Sequence, residues 1–257
     1  MHELYVPPSL TRFSPRWPAS ESQYCEMALA YDLVAALRPP LVVDVGMGSG
    51  AVLVALCEAV ADHGIDASVY GFDTAEDPAT SQASAVGGPD AETGAAREAL
   101  SAHVRKHHLG AFYLAGAAPS TVLSHFAPAS VGLVRIDTAQ ASLGAEDLAE
   151  WRERLAPGGV ILVSGSACAS LCAHEAWAGS HRAARLHADL ALSVAPREAD
   201  AARDSDLVRL LFGGASLDGL SRFYLYVARH HALARATDGV SLPVLSPSAT
   251  DPGASRS

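Results

Sequence analysis

Asp44 closes an apolar run, and Gly46, Gly48 and Gly50 follow at every second position around Met47 and Ser49. Glycines at that spacing let a backbone turn sharply and approach a ligand with no Cβ in the way. A helix over residues 51–62 then points its N-terminal amides at whatever binds. The pattern therefore implies a nucleotide-like ligand at the end of the first strand. Asp73, followed by Thr74, ends a second apolar run, and Asp137 ends another. Strand-end acids lie where open α/β sheets carry out their ligand chemistry. His174 comes after a further strand and has a pKa suited to deprotonating a hydroxyl or amine. An exposed helix histidine is the competing reading.

Two ligands compete for the glycine turn. Gly46-x-Gly48-x-x-Ala51 with Asp73 satisfies a loose dinucleotide fingerprint, the acid taking a ribose hydroxyl. Asp44 before Gly46-x-Gly48-x-Gly50 suits S-adenosylmethionine instead. That ligand carries a sulfonium and an ammonium group, which a strand-end acid answers. Beside a pyrophosphate the same acid would be repulsive. Asp73 then accepts two O–H bonds from the ribose diol.

Composition narrows the classes. The 257 residues are 49% apolar and 18% charged, with a formal charge of −10. A chain this acidic argues against general nucleic-acid binding, which needs clustered Lys and Arg. Residues 97–108 are the one locally basic stretch and read as a helix face. No apolar segment reaches the ~18 residues of a membrane span. No signal-peptide pattern opens the sequence, so a cytoplasmic, reduced setting is expected. Cys25, Cys57, Cys168 and Cys172 show no framework spacing. Cys168, Cys172 and His174 lack a second ligand pair, and no structural zinc is expected.

The elements that must position these residues alternate. An irregular arm, 1–19, is rich in Pro, Ser and aromatics, and Tyr5, Phe13, Trp17 and Tyr24 are candidates to roof the site. Ser20 or Ser22 can cap a helix to about Leu37, which Pro39 and Pro40 end. Strands are expected over 41–45, 68–73, 111–114, 131–137 and 160–164. Helices are expected over 51–62, 93–108, 119–126 and 145–155, the last ending at Pro157, Gly158 and Gly159. This βαβ series implies a parallel sheet covered on both faces. Residues 75–93 read as a long mobile loop. After a helix around 173–188, the apolar runs 190–195 and 207–212 suit an antiparallel hairpin at the sheet edge, joined by 196–206. Residues 216–236 read as an aromatic amphipathic helix that offers a surface for a homo-oligomer. The domain then covers 20–213, with a C-terminal helix within 214–237 and a disordered tail, 238–257.

The stretch 131–165 holds Ile136-Asp137, then Asp147-Leu148 with Trp151, then Leu155 through Gly159 and a strand. With the glycine turn, it resembles the class I S-adenosylmethionine-dependent methyltransferases. Within them it is similar to a bacterial small-molecule and sugar O-methyltransferase-like family found near natural-product and glycan genes. The resemblance covers about residues 20–213. It implies a Rossmann-like α/β fold with a mostly parallel seven-stranded sheet of order 3-2-1-4-5-7-6. It also implies cofactor contacts from Asp44, Gly46, Met47, Gly48, Gly50, Asp73, Thr74, Gly116, Ala117 and Asp137. Relatives often hold a divalent metal after the fourth and fifth strands. Here Thr138-Ala139-Gln140 and Ser164-Gly165-Ser166 stand in those places, and one carboxylate does not make a site for a hard cation. No metal is expected. Gly116-Ala117-Ala118 leaves adenine to backbone groups. The expected activity is methyl transfer to a hydroxyl, less so an amine, of a small molecule, with Asp137 and His174 as catalytic candidates. A cofactor-binding scaffold protein is the alternative, and a nicotinamide-dependent oxidoreductase the third choice.

Overall fold

The computed structural model describes residues 6–19, 21–73, 89–108, 111–115, 119–138, 145–165, 182–187 and 190–195. Within the arm, Pro8–Leu10 forms a single 3-10 turn. α1 (Glu21–Leu37) stops at Arg38, whose φ of 47° turns the chain before Pro39 and Pro40. β1 (Leu41–Val45) follows, a β-branched run buried from its second residue onward. α2 (Ala51–Asp62) buries nine consecutive residues from Ala51 to Ala59. It closes with Gly64 at φ 54°, where Gly64 N–H donates to Ala61 O and Ile65 N–H to Val60 O. That pair of bonds satisfies carbonyls the helix end would otherwise leave open.

β2 (Ser68–Asp73), α3 (Pro89–His107), β3 (Ala111–Ala115), α4 (Pro119–Ser124), β4 (Val131–Asp137) and α5 (Ala145–Arg154) continue the alternation. β5 (Leu155–Ser164), β6 (Arg182–His187) and β7 (Leu190–Val194) complete one sheet, in the order β3-β2-β1-β4-β5-β7-β6. β1 through β5 run parallel, and β7 is antiparallel to both β5 and β6.

Beyond shifts of one or two residues, the structure differs from the sequence reading in three places. α3 begins at Pro89, taking the end of the expected loop 75–93, whose residues 75–88 lie outside those described. β5 begins at Leu155, because Val131 pairs with Leu155 and Leu133 with Val160. The Pro157-Gly158-Gly159 turn therefore bulges inside the strand, with Gly158 at φ 76°. The larger correction concerns the hairpin. Residues 182–187, expected as the end of a helix, are strand β6, which partners β7. The Ala- and Arg-rich run has helix propensity, a weak preference that an open strand edge overrides. Residues 207–212, 216–236 and the tail lie outside the described part.

The sheet splits the core by alternation along each strand. Val42, Leu133 and Leu162 pack with α1, α2 and α3. Val43, Val45, Val134 and Ile136 pack with α4 and α5, where Trp151 is fully buried against Phe126. Between β1 and β4 the strand order reverses, which in open α/β sheets opens a crevice at the strands' carboxyl ends.

Candidate functional site

The glycine turn lies at that crevice. Gly46, Gly48 and Gly50 have φ of 76°, 53° and 78°, a backbone region costly for residues with a Cβ. Gly46 N–H and Met47 N–H both donate to Phe72 O, at 2.8 and 3.3 Å, tying the turn to the end of β2. Gly50 N–H donates to Met47 O at 2.9 Å, and Gly50 O accepts from Val54 N–H to start α2. Gly50 is doubly constrained, since a Cβ there would overlap the Leu100 side chain of α3. The Met47 side chain turns inward, over the bare Cα of Gly71. Gly48 and Ser49 are left facing outward.

Beneath the turn, Asp44 of β1 and Arg135 of β4 are register partners on adjacent parallel strands. Both are buried, at 0% and 3% exposure. Arg135 uses all five of its N–H groups. Nε donates to Glu26 Oε1 at 2.7 Å and Nη2 to Glu26 Oε2 at 3.2 Å. Nη1 donates to Asp44 Oδ1 and to Gly46 O, each at 3.1 Å. Nη2 also reaches Asp137 Oδ2 at 3.1 Å, two residues along the same strand face. One guanidinium thus joins α1, β1, the glycine turn and the end of β4.

Among the described residues, three carboxylates, those of Glu26, Asp44 and Asp137, face this one cation. Asp44 Oδ2 is buried and has no hydrogen-bond partner among the described residues. Burial pushes the Asp44 carboxyl up to about 6, against the pull of Arg135, with Glu26 and Asp137 adding to the rise. The surrounding carboxylates hold Arg135 firmly in its charged form despite its burial. Such a cluster gains from a further positive charge nearby.

Of the residues singled out in the sequence, Asp44, Gly46, Met47, Gly48, Gly50 and Asp137 meet within this one region. Asp73 ends β2 beside Ala115 of β3 in register. Thr74, Gly116, Ala117 and His174 lie outside the described residues. Of the arm aromatics, Phe13 packs in the core on Tyr31, with ring centroids 4.8 Å apart, and Tyr24 is likewise buried. Thr138 N–H and Oγ1 both donate to Ser164 O at 2.8 Å, joining the ends of β4 and β5. Among the described residues no group of three His, Cys, Asp or Glu could hold a metal ion. None of their helices is long and apolar enough to cross a membrane.

Sequence reasoning missed Arg135 and Glu26. The signal was present in the strand Val-Gly-Leu-Val-Arg-Ile-Asp, where a lone arginine among apolar residues must find buried partners.

Residues 43–164 match the model of a family described as a methyltransferase domain. The match spans a little under half of the chain and contains the glycine turn, Asp73, Arg135 and Asp137. Among solved structures, the chain is similar to a methyltransferase from Geobacter sulfurreducens, at 14% identity over 70% of this chain and 80% of that one, with a TM-score of 0.46. It is similar also to a putative caffeoyl-CoA O-methyltransferase from Staphylococcus aureus, at 10% identity over 70% and 86%, with a TM-score of 0.47. A third is an O-methyltransferase from Streptomyces achromogenes involved in tomaymycin synthesis, in complex with S-adenosylmethionine, at 13% identity over 76% and 92%, with a TM-score of 0.44. Likeness at that level carries no argument about activity. No curated protein shows significant sequence similarity to the chain.

Proposed function

We propose that this methyltransferase domain, whose cofactor is S-adenosylmethionine, transfers a methyl group to a hydroxyl of a small molecule, an amine acceptor being the weaker alternative, without a bound metal. The observation that carries the reading is the carboxylate excess around Arg135 directly under the glycine turn. A cationic ligand relieves that excess, whereas a pyrophosphate would add to it, which disfavours a dinucleotide.

The chain's own residues divide the work. The outward backbone of Gly48 and Ser49 and the first amides of α2, which have no partner within the helix, meet the polar part of the cofactor. Asp44, buried beneath the turn, answers its positive end through the field of its carboxylate. Asp73, with Thr74, takes the ribose diol, and the backbone at Gly116 and Ala117 takes the adenine edge. Asp137, held by Arg135 at the end of β4, faces the acceptor side and orients its hydroxyl. When bound, the cofactor supplies a methyl carbon on a positively charged sulfur. That methyl is what an acceptor oxygen would take, the electron pair of the broken carbon–sulfur bond staying with sulfur. The hydroxyl proton passes to His174. Alignment of the three centres and exclusion of water supply most of the rate.

The test is transfer of labelled methyl from S-adenosylmethionine to a panel of hydroxyl- and amine-bearing metabolites. Label is expected on a hydroxyl, reduced at least about tenfold in His174→Ala. The engagement of Asp137 by Arg135 favours one second reading, a protein that binds the cofactor without turnover. Tight cofactor binding with no label transferred to any acceptor would support it.

A further inference from the structure

The arm that precedes α1 is fastened at successive points on its way to the glycine turn. Ser9 donates its N–H and its hydroxyl to the buried Asp32 carboxylate, both at 2.7 Å. Phe13 follows on Tyr31. Arg16 N–H then donates to Glu58 Oε1 at 3.1 Å, halfway along α2. One residue later, Trp17 Nε1 donates to Ser49 O at 2.7 Å, inside the turn itself. Gln23, in the first turns of α1, donates from Nε2 to Ser49 Oγ at 3.0 Å. The Trp17 ring also meets His103 of α3 edge-on, with centroids 5.1 Å apart. Pro15 and Pro18 flank the segment and fix two of its φ angles, so little of its freedom is left to lose.

Ser49 O belongs to the peptide that opens α2. The N–H of that same peptide, on Gly50, is already bound to Met47 O. The Trp17 bond therefore fixes the second end of a peptide plane whose rotation would re-aim the backbone on both sides of it. Gly48, Ser49 and Gly50 lack the Cβ restraint or the burial that would otherwise hold them. We propose that Trp17 is a positioning residue of the cofactor site, its indole N–H setting the Ser49–Gly50 peptide in the orientation that receives the ligand. The arm is thereby part of the binding site and not a covering for the core alone. This inference rests on the reading of the turn as the cofactor site.

Trp17→Phe tests it, keeping an aromatic ring on the side that meets His103 while removing the indole N–H with its five-membered ring. Amide hydrogen exchange in the ligand-free protein reads the turn directly. Faster exchange at Gly50, by about two- to tenfold for one lost hydrogen bond, is expected, with core strands β1 and β4 unchanged. Calorimetry with S-adenosylmethionine should show a dissociation constant weaker by a similar factor, and Gln23→Ala a smaller change in the same direction. Wild-type exchange at Gly50 together with wild-type affinity in Trp17→Phe overturns the proposal. So does weaker binding accompanied by faster exchange throughout β1 and β4, which marks a general loss of stability. If the wild-type protein itself fails to bind, the cofactor reading falls, and the exchange comparison alone decides whether Trp17 holds the turn.

Discussion

Arg135 spends every donor it has on partners drawn from four parts of the chain, and that dictates how it responds to substitution. Removing a buried ion-pair partner leaves uncompensated charge and costs about 3–5 kcal/mol. Arg135→Met is expected to lose stability on that scale in urea denaturation, since three carboxylates would be left without their cation. Arg135→Lys keeps the charge but offers fewer donors in a different geometry, and should fall between. On the proposed reading, Asp44 carries the pH dependence of binding. Its carboxyl is pushed up to about 6 by burial, and a cationic ligand favours the ionised form. Affinity for S-adenosylmethionine should therefore be level above about pH 7 and weaken by about tenfold per unit well below 6. Calorimetric titrations across that range should show the slope in the wild type and its loss in Asp44→Asn. At this scale the turn was legible in the sequence, because Asp44 and three glycines stand within seven consecutive residues. The Glu26–Arg135 contact was not, since 109 residues separate its partners and only the fold brings them together.

Among the elements, α2 shows how local signals and packing cooperate. The sequence reading places a helix over 51–62, the structure buries it from Ala51 to Ala59, and Gly64 lies just past its end. Gly64 has open space around it and φ 54°, so a methyl group there meets no atom and only the backbone is strained. Gly64→Ala is expected to cost about 1 kcal/mol in denaturant unfolding and to leave cofactor affinity unchanged. Gly50→Ala at the other end combines φ 78° with overlap on Leu100, and should damage both stability and binding. β1, β2 and β4 were readable because each carries three β-branched or aromatic residues in a short apolar run with an acid at or beside its end. β6 was not, because Arg182–His187 is composed like a helix and is strand only through its ladder to β7. Strand pairing of that kind is a property of the assembled edge, which no window of sequence contains.

At the scale of the whole molecule, the arm, α2 and α3 meet around a histidine cluster. His103, His107 and His108 lie with ring centroids 4.7 to 6.3 Å apart. Burial, reinforced by its two histidine neighbours and Arg16 and opposed by Asp62, lowers His108 to about 4. The folded state therefore binds fewer protons there than the unfolded chain. Stability from this group is complete above about 6.5 and falls as pH drops from there toward 4. Asp44 works the other way, because its raised carboxyl favours the folded state more at low pH. Thermal melts of the wild type and His108→Asn should separate the two, the variant losing less stability than the wild type on acidification. The mostly parallel α/β architecture was legible because strand and helix patterns alternate along the chain. The convergence of arm, α1 and β4 on one turn was not, since it depends on packing between distant segments.

On the proposed reading, the carboxylate-rich cluster beneath the glycine turn receives a cationic cofactor. Calorimetric titration of the 257-residue chain with S-adenosylmethionine near neutral pH is the test. A saturable isotherm with one site per chain, weakened in Asp44→Asn, is the expected result. No heat, together with no shift in melting temperature at millimolar ligand, would contradict it.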